Sequence, residues 1–339
     1  MVRLLIRGGT IGAIAFFLAA FGVAQRAHAH GGGVLLQTEQ GGLVLGRDNE
    51  DGSGQDFTAR VFEGQLSSFF AIDAPSFISL VTPPAGFGTL PPLTNVYWDF
   101  LPMTTGGLTS NLLYWDGQGS VPDDVSFGLP PDPNVTMTLF GRNNGPATVG
   151  ADPIMVPGPT LEQTLAEGSG LRLHAHRFFF LDDNDATTAT QPATGIYLIA
   201  LHLRMDAHGA TVPAYIVFTT PGVSLTALDS AAIPWVEARE ETLVLPGDYN
   251  FDGIVSDLDR AAWRSQYGSS GPFPIGGAYA DGTRNGTVTA ADYVFWRDRL
   301  GSGGSVGHGA ATVIPEPAGV ALMGLAMLGV FVGYCTRRR

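Results

Sequence analysis

Gly195-Ile196-Tyr197-Leu198-Ile199-Ala200-Leu201-His202-Leu203-Arg204-Met205 is an apolar run interrupted only by one histidine and one arginine. Between turn-forming neighbours, such a run reads as a strand. Comparable apolar or alternating segments recur at 33–37, 43–45, 57–62, 77–81, 96–100, 135–140, 171–181 and 214–219, separated by Gly- and Pro-containing turns. Short strands at this density predict an antiparallel β-sandwich or jelly roll over 30–244. A region of that length can bury a substantial core. Within that region one short helix is expected, at 160–167.

Composition agrees. The chain has 339 residues, 45% hydrophobic and 14% charged, with 46 glycines and 23 prolines. That is turn-rich and too apolar for a chain kept unfolded by its own charge. The net charge is −13, which argues against nucleic-acid binding through a basic surface. Lysine is absent, and one cysteine leaves no disulfide framework or cysteine-based zinc cluster.

The termini read as addresses. Arg3 and Arg7 precede an apolar stretch over 11–24, and Ala27-His28-Ala29 offers a small-x-small cleavage site, so 1–29 is expected to be a signal peptide. Cleavage after Ala29 would make His30 the mature N-terminus; Ala24 is a competing site. At the other end, 318–335 is uncharged and apolar, long enough to span a bilayer core, and Arg337-Arg338-Arg339 follows. Pro315-Glu316-Pro317 opens that stretch. The three parts in this order resemble a PEP-CTERM sorting signal, over 313–339 after a 302–312 linker. The resemblance implies a transmembrane helix before processing by an exosortase, and a mature chain at the cell surface or in the extracellular matrix of a Gram-negative-type bacterium. The region between the termini holds 30 of the 31 acidic residues and 12 of the 18 arginines. A surface so acidic attracts divalent cations.

A repeat lies at 248–299. Asp248, Gly253, Val255 and Asp259 recur 33 residues later as Asp281, Gly286, Val288 and Asp292, and Trp263 recurs as Trp296. Calcium takes six to eight oxygen ligands, and a twelve-residue loop supplies them from positions 1, 3, 5, 7, 9 and 12, with Gly turning the chain at position 6. The first loop would use Asp248, Asn250, Asp252, the Ile254 carbonyl, Ser256 and Asp259. The second would use Asp281, Thr283, Asn285, the Thr287 carbonyl, Thr289 and Asp292. With one carboxylate fewer, the second Ca²⁺ site is expected to be weaker. Val255 and Val288 are expected to pair the loops and enter a small core. A helix should follow each loop, at 257–267 and 290–300, ended by Gly268 and Gly301. The tandem half-EF-hands resemble a type I dockerin over 245–301, which implies docking to a cohesin-like module. Positions 10 and 11 are Asp257-Leu258 and Ala290-Ala291, where cohesin-binding relatives often carry Ser-Thr-type pairs, so a calcium-stabilised spacer is an equal reading.

Other candidate chemistry lies in 30–244. His174 and His176 are two apart on an expected strand and share one face; His202 would join them if its strand were a hairpin partner, and His30 would add an imidazole. Such a cluster suits Zn²⁺ or Cu²⁺, making a transition-metal-binding sandwich one alternative. No G-x-S-x-G or phosphate-binding loop occurs. A polysaccharide hydrolase carried by a dockerin is the other alternative, with Asp99, Asp116, Asp123 and Asp124 as carboxylates and Trp98 and Trp115 able to stack on sugars. The leading expectation is a non-catalytic structural or interaction protein, exported and calcium-binding, with a cohesin-like module or extracellular polysaccharide as partner.

Overall fold

The computed structural model describes residues 32–49, 54–166, 170–185, 191–206, 208–250, 253–270, 280–283 and 287–302. The expected signal peptide and sorting helix lie outside these residues. No helix among them is long and apolar enough to cross a membrane.

The strands are β1 (Gly33–Glu39), β2 (Gly42–Asn49), β3 (Gly54–Asp56), β4 (Val61–Gln65), β5 (Ala71–Ile72) and β6 (Phe77–Leu80). They continue as β7 (Asn95–Leu101), β8 (Met103–Thr105), β9 (Leu108–Ser110), β10 (Leu112–Trp115), β11 (Thr136–Phe140) and β12 (Pro146–Val149). The last are β13 (Val156–Gln163), β14 (Leu171–Ala175), β15 (Phe179–Asp182), β16 (Ile196–Met205), β17 (Gly209–Ala210) and β18 (Ala214–Thr219). The fold is mainly β, as the turn-punctuated sequence predicts.

The largest sheet runs β13-β7-β16-β18-β4, with β10 and β17 also on β16. A second runs β14-β6-β1-β2-β3, a third β12-β11-β15-β5, and β8-β9 is a hairpin. Every residue of β16 is buried, because both faces are covered. Tyr197, Ile199, Leu201 and Leu203 enter one core with Val34, Phe77, Met137 and Phe179 from the other two large sheets. Ile196, Leu198 and Ala200 point the opposite way, against Ala227, Leu228, Ala231, Trp235 and Val236. Each large apolar side chain so enclosed contributes about 1.5–3 kcal/mol.

Four details depart from the sequence reading. Of the expected helix at 160–167, residues 160–163 are instead the end of β13, paired with β7 through register irregularities, and Glu167 lies outside the described residues. Pro157 and Pro159 favour extended backbone around them, and Leu161 is fully buried in the core between the large sheets. The run 171–181 divides into β14 and β15, which belong to different sheets. Two pairings are parallel, β1 with β6 and β18 with β4, so the strand pairing is not wholly antiparallel as expected. The helical layer over 225–243 was not expected; small residues such as Ala227, Ala231 and Ala232 carry its buried side, which weakens its helical periodicity. Ser224 starts it by accepting from the Thr226 amide.

The repeat region has its own core of Tyr249, Val255, Ala280, Val288 and Trp296. Its helices are α1 (Asp257–Gln266) and α2 (Ala290–Arg297), each slightly shorter than expected. Gly268 and Gly301 follow with φ of +81° and +87°, the left-handed backbone that ends helices at glycine.

Candidate metal centre

The two loops repeat their hydrogen bonds as well as their sequence. In the first, Asp259 Oδ1 accepts from the Tyr249 and Asn250 amides at 2.7 and 3.0 Å, and Oδ2 from the Ser256 amide at 2.6 Å. In the second, Asp292 Oδ1 accepts from the Thr283 amide at 2.8 Å and Oδ2 from the Thr289 amide at 2.7 Å. Loop position 12 thus takes the amides of positions 3 and 9 in both copies. Ser256 and Thr289 also cap α1 and α2, accepting from the Leu258 and Ala291 amides. The reciprocal cap is a capping box, so positions 9 and 12 begin the helix and close the loop together.

The capping box does not account for position 1. Asp248 Oδ2 accepts from the Gly253 amide at 2.7 Å, and Asp281 Oδ1 accepts from the Thr283 hydroxyl at 3.4 Å. Asp248, Asp259, Asp281 and Asp292 are 6, 0, 1 and 0% exposed. Carboxylates are rarely so buried unless charge or protons compensate them. Gly253, at position 6, has φ +83°, and a side chain there would also meet Thr109 at 2.6 Å. The oxygen donors and the turned glycine fit a hard divalent cation such as Ca²⁺.

Asp248, Asn250, Ile254, Ser256 and Asp259 are described in the first loop; Asp252 lies outside the described residues. In the second, Asp281, Thr283, Thr287, Thr289 and Asp292 are described and Asn285 lies outside. Among the described residues no three His, Cys, Asp or Glu side chains gather as a metal-holding group, since each loop has two of its carboxylates within that set.

The repeats are locked together by exchange. Trp263 Nε1 donates to the Thr289 carbonyl at 2.8 Å, and Trp296 Nε1 to the Ser256 carbonyl at 2.9 Å. Val255 and Val288 are buried as expected, but they do not pair with each other. Val255 exchanges backbone hydrogen bonds with Gly301 and Ser302, and Val288 with Gly268 and Ser269. Each loop therefore pairs with the chain leaving the other repeat's helix, where the glycine has freed the backbone to turn.

Tyr249, which the sequence reading did not single out, sits between the loops. Its hydroxyl donates to the Asp292 carbonyl at 2.7 Å. Burial raises its pKa, and the Asp292 and Asp281 carboxylates raise it further against an opposing Arg299. The matching position in the second loop is Gly282, where a methyl group would collide with the Tyr249 hydroxyl. Tyrosine in one copy and glycine in the other is the visible sequence signal.

The histidines separate. His174 and His176 are exposed at the end of β14, with ring centroids 5.1 Å apart. His202 lies in a different sheet: β14 pairs with β6, and β16 with β7 and β18. His202 is therefore not a partner of the pair; it is buried, with Nε2 2.8 Å from Asp99 Oδ2. Arg204 Nε donates to the same oxygen at 2.7 Å, and the guanidinium carbon lies 4.6 Å from the Tyr97 ring centroid. Burial alone would push the Asp99 carboxyl up, but His202 and Arg204 outweigh it and hold it below the usual range. His30 lies outside the described residues.

Three of the four carboxylates proposed for sugar chemistry are engaged in other contacts. Asp99 is in this buried cluster. Asp116 accepts from the Gln118 amide, and Asp124 from the Ser120 and Val121 amides. Trp98 and Trp115 are buried in the two cores, where sugar rings cannot stack on them.

No protein-family model, curated protein or solved structure matches this chain.

Proposed function

We propose that residues 245–301 form a dockerin-like module that binds two calcium ions and that the chain is an exported, surface-sorted structural or interaction protein. The observation that carries the reading is the burial of the position-1 and position-12 aspartates in both repeats. Helix capping explains half of that pattern; a cation site explains all of it. In the first loop Asp248, Asn250, Asp252, the Ile254 carbonyl, Ser256 and Asp259 would hold the ion. Asp281, Thr283, Asn285, the Thr287 carbonyl, Thr289 and Asp292 would hold the second. A bound ion supplies positive charge among these carboxylates and ties loop to helix, so its binding energy becomes folding energy for a small core.

The surface reading rests on the terminal sequences, and exosortase-type processing would release the chain from its membrane helix. Leu258 is 62% exposed and Val294 42%, which leaves apolar surface on both helices for a cohesin-like module or another extracellular partner.

Calcium titration of the purified chain by calorimetry tests the reading. Two binding events are expected, the weaker lost in Asp281→Asn and the stronger in Asp248→Asn. No heat of binding, together with identical melting in calcium and in chelator, would overturn it.

A further inference from the structure

We propose that His174 and His176 form a two-nitrogen chelate for a divalent transition ion, Cu²⁺ above all, separate from the calcium loops. Residues two apart on a strand project from the same face, and Ala175 between them is buried in the sandwich core, which fixes the backbone that presents them. Their ring centroids are 5.1 Å apart and their planes 67° apart. An imidazole nitrogen binds at about 2.0–2.1 Å, placing its ring centroid roughly 3.2 Å from the ion. Two such rings at about 90–110° around one ion have centroids roughly 4.5–5.2 Å apart. The observed spacing falls within that interval.

A further contact favours the ligating tautomer. His176 Nδ1 lies 3.3 Å from the Asp73 carbonyl oxygen and 4.0 Å from its Oδ2. A proton on Nδ1, donated to the Asp73 carbonyl oxygen, leaves the Nε2 lone pair available outward. Ligating histidines usually have such a partner behind the ring, and it raises their basicity. Asp73 follows β5 and His176 follows β14, so the third and second sheets jointly build the arrangement. Imidazole selects Cu²⁺ and Zn²⁺ over calcium, and Cu²⁺ heads the affinity order.

The test is Cu²⁺ titration of the full chain in saturating calcium, read by affinity and by electron paramagnetic resonance. One Cu²⁺ per chain is expected, with coupling to two imidazole nitrogens. His174→Ala and His176→Ala should each abolish the two-nitrogen signature, with circular dichroism unchanged; His208→Ala should keep it. Absence of Cu²⁺ binding would overturn the proposal. So would the same affinity and coupling persisting in the double variant His174→Ala/His176→Ala.

Discussion

Trp296 donates its indole N–H to the carbonyl of Ser256, 2.9 Å away and forty residues earlier. The residue accepting that bond caps α1 and stands at position 9 of the first loop. Trp263 makes the equivalent bond to Thr289. Each repeat is thus completed by a side chain from the other, and neither loop is held by its own twelve residues alone.

That exchange predicts strong coupling. Trp296→Phe leaves the Ser256 carbonyl without this donor, at a cost of about 1–3 kcal/mol. Thermal melting of Trp296→Phe, Trp263→Phe and the double variant should show non-additive losses. Strict additivity would mean that the repeats fold independently.

Gly282→Ala should destabilise the repeat region, because the added methyl meets the Tyr249 hydroxyl and the Phe295 ring. Tyr249→Phe removes the hydroxyl and should recover part of the loss. A double-mutant cycle by chemical denaturation checks the coupling; equal effects of Gly282→Ala with and without the tyrosine hydroxyl would contradict it.

Asp99→Ala leaves Arg204 buried without its carboxylate, which predicts a loss of about 3–5 kcal/mol. Arg204→Met in the same background should restore part of it. The Asp99 carboxyl titrates below the ordinary aspartate range. Its contribution is therefore full above that range and disappears as pH falls through the lowered value. Denaturation midpoints measured from neutral to acid pH check both statements.

Glu63 behaves in the opposite sense. Burial, followed by the neighbouring Asp229 carboxylate, pushes its pKa up to about 7. The folded chain then holds a proton that the unfolded chain releases earlier, so this group costs stability as pH rises from the ordinary glutamate range towards 7. Glu63→Gln should raise the melting temperature above pH 7 and leave it little changed near pH 4. A variant that melts lower at pH 8 would contradict this.

The repeat was legible in the sequence because its determinants are local. Ser256 with Asp259, and Thr289 with Asp292, lie three residues apart, and every proposed ligand lies within twelve. The same holds for Gly268 and Gly301, whose position after a helix announces their backbone. Strand existence was mostly legible too, since an apolar run such as 195–205 carries its own pattern. The departures at 160–163 and 171–181 come where tertiary pairing outweighs a short-range preference.

The amino-acid order by itself determined a β-rich chain with a duplicated acidic loop, capped helix starts and glycine stops, since these depend on neighbours along the backbone. Only the tertiary structure decided that β4 lies parallel to β18, that His202 meets Asp99 rather than His174, and that each tryptophan serves the other repeat. Such partners are 26 to more than a hundred residues apart. Many registers satisfy the same two-residue alternation, and packing of the whole core selects among them.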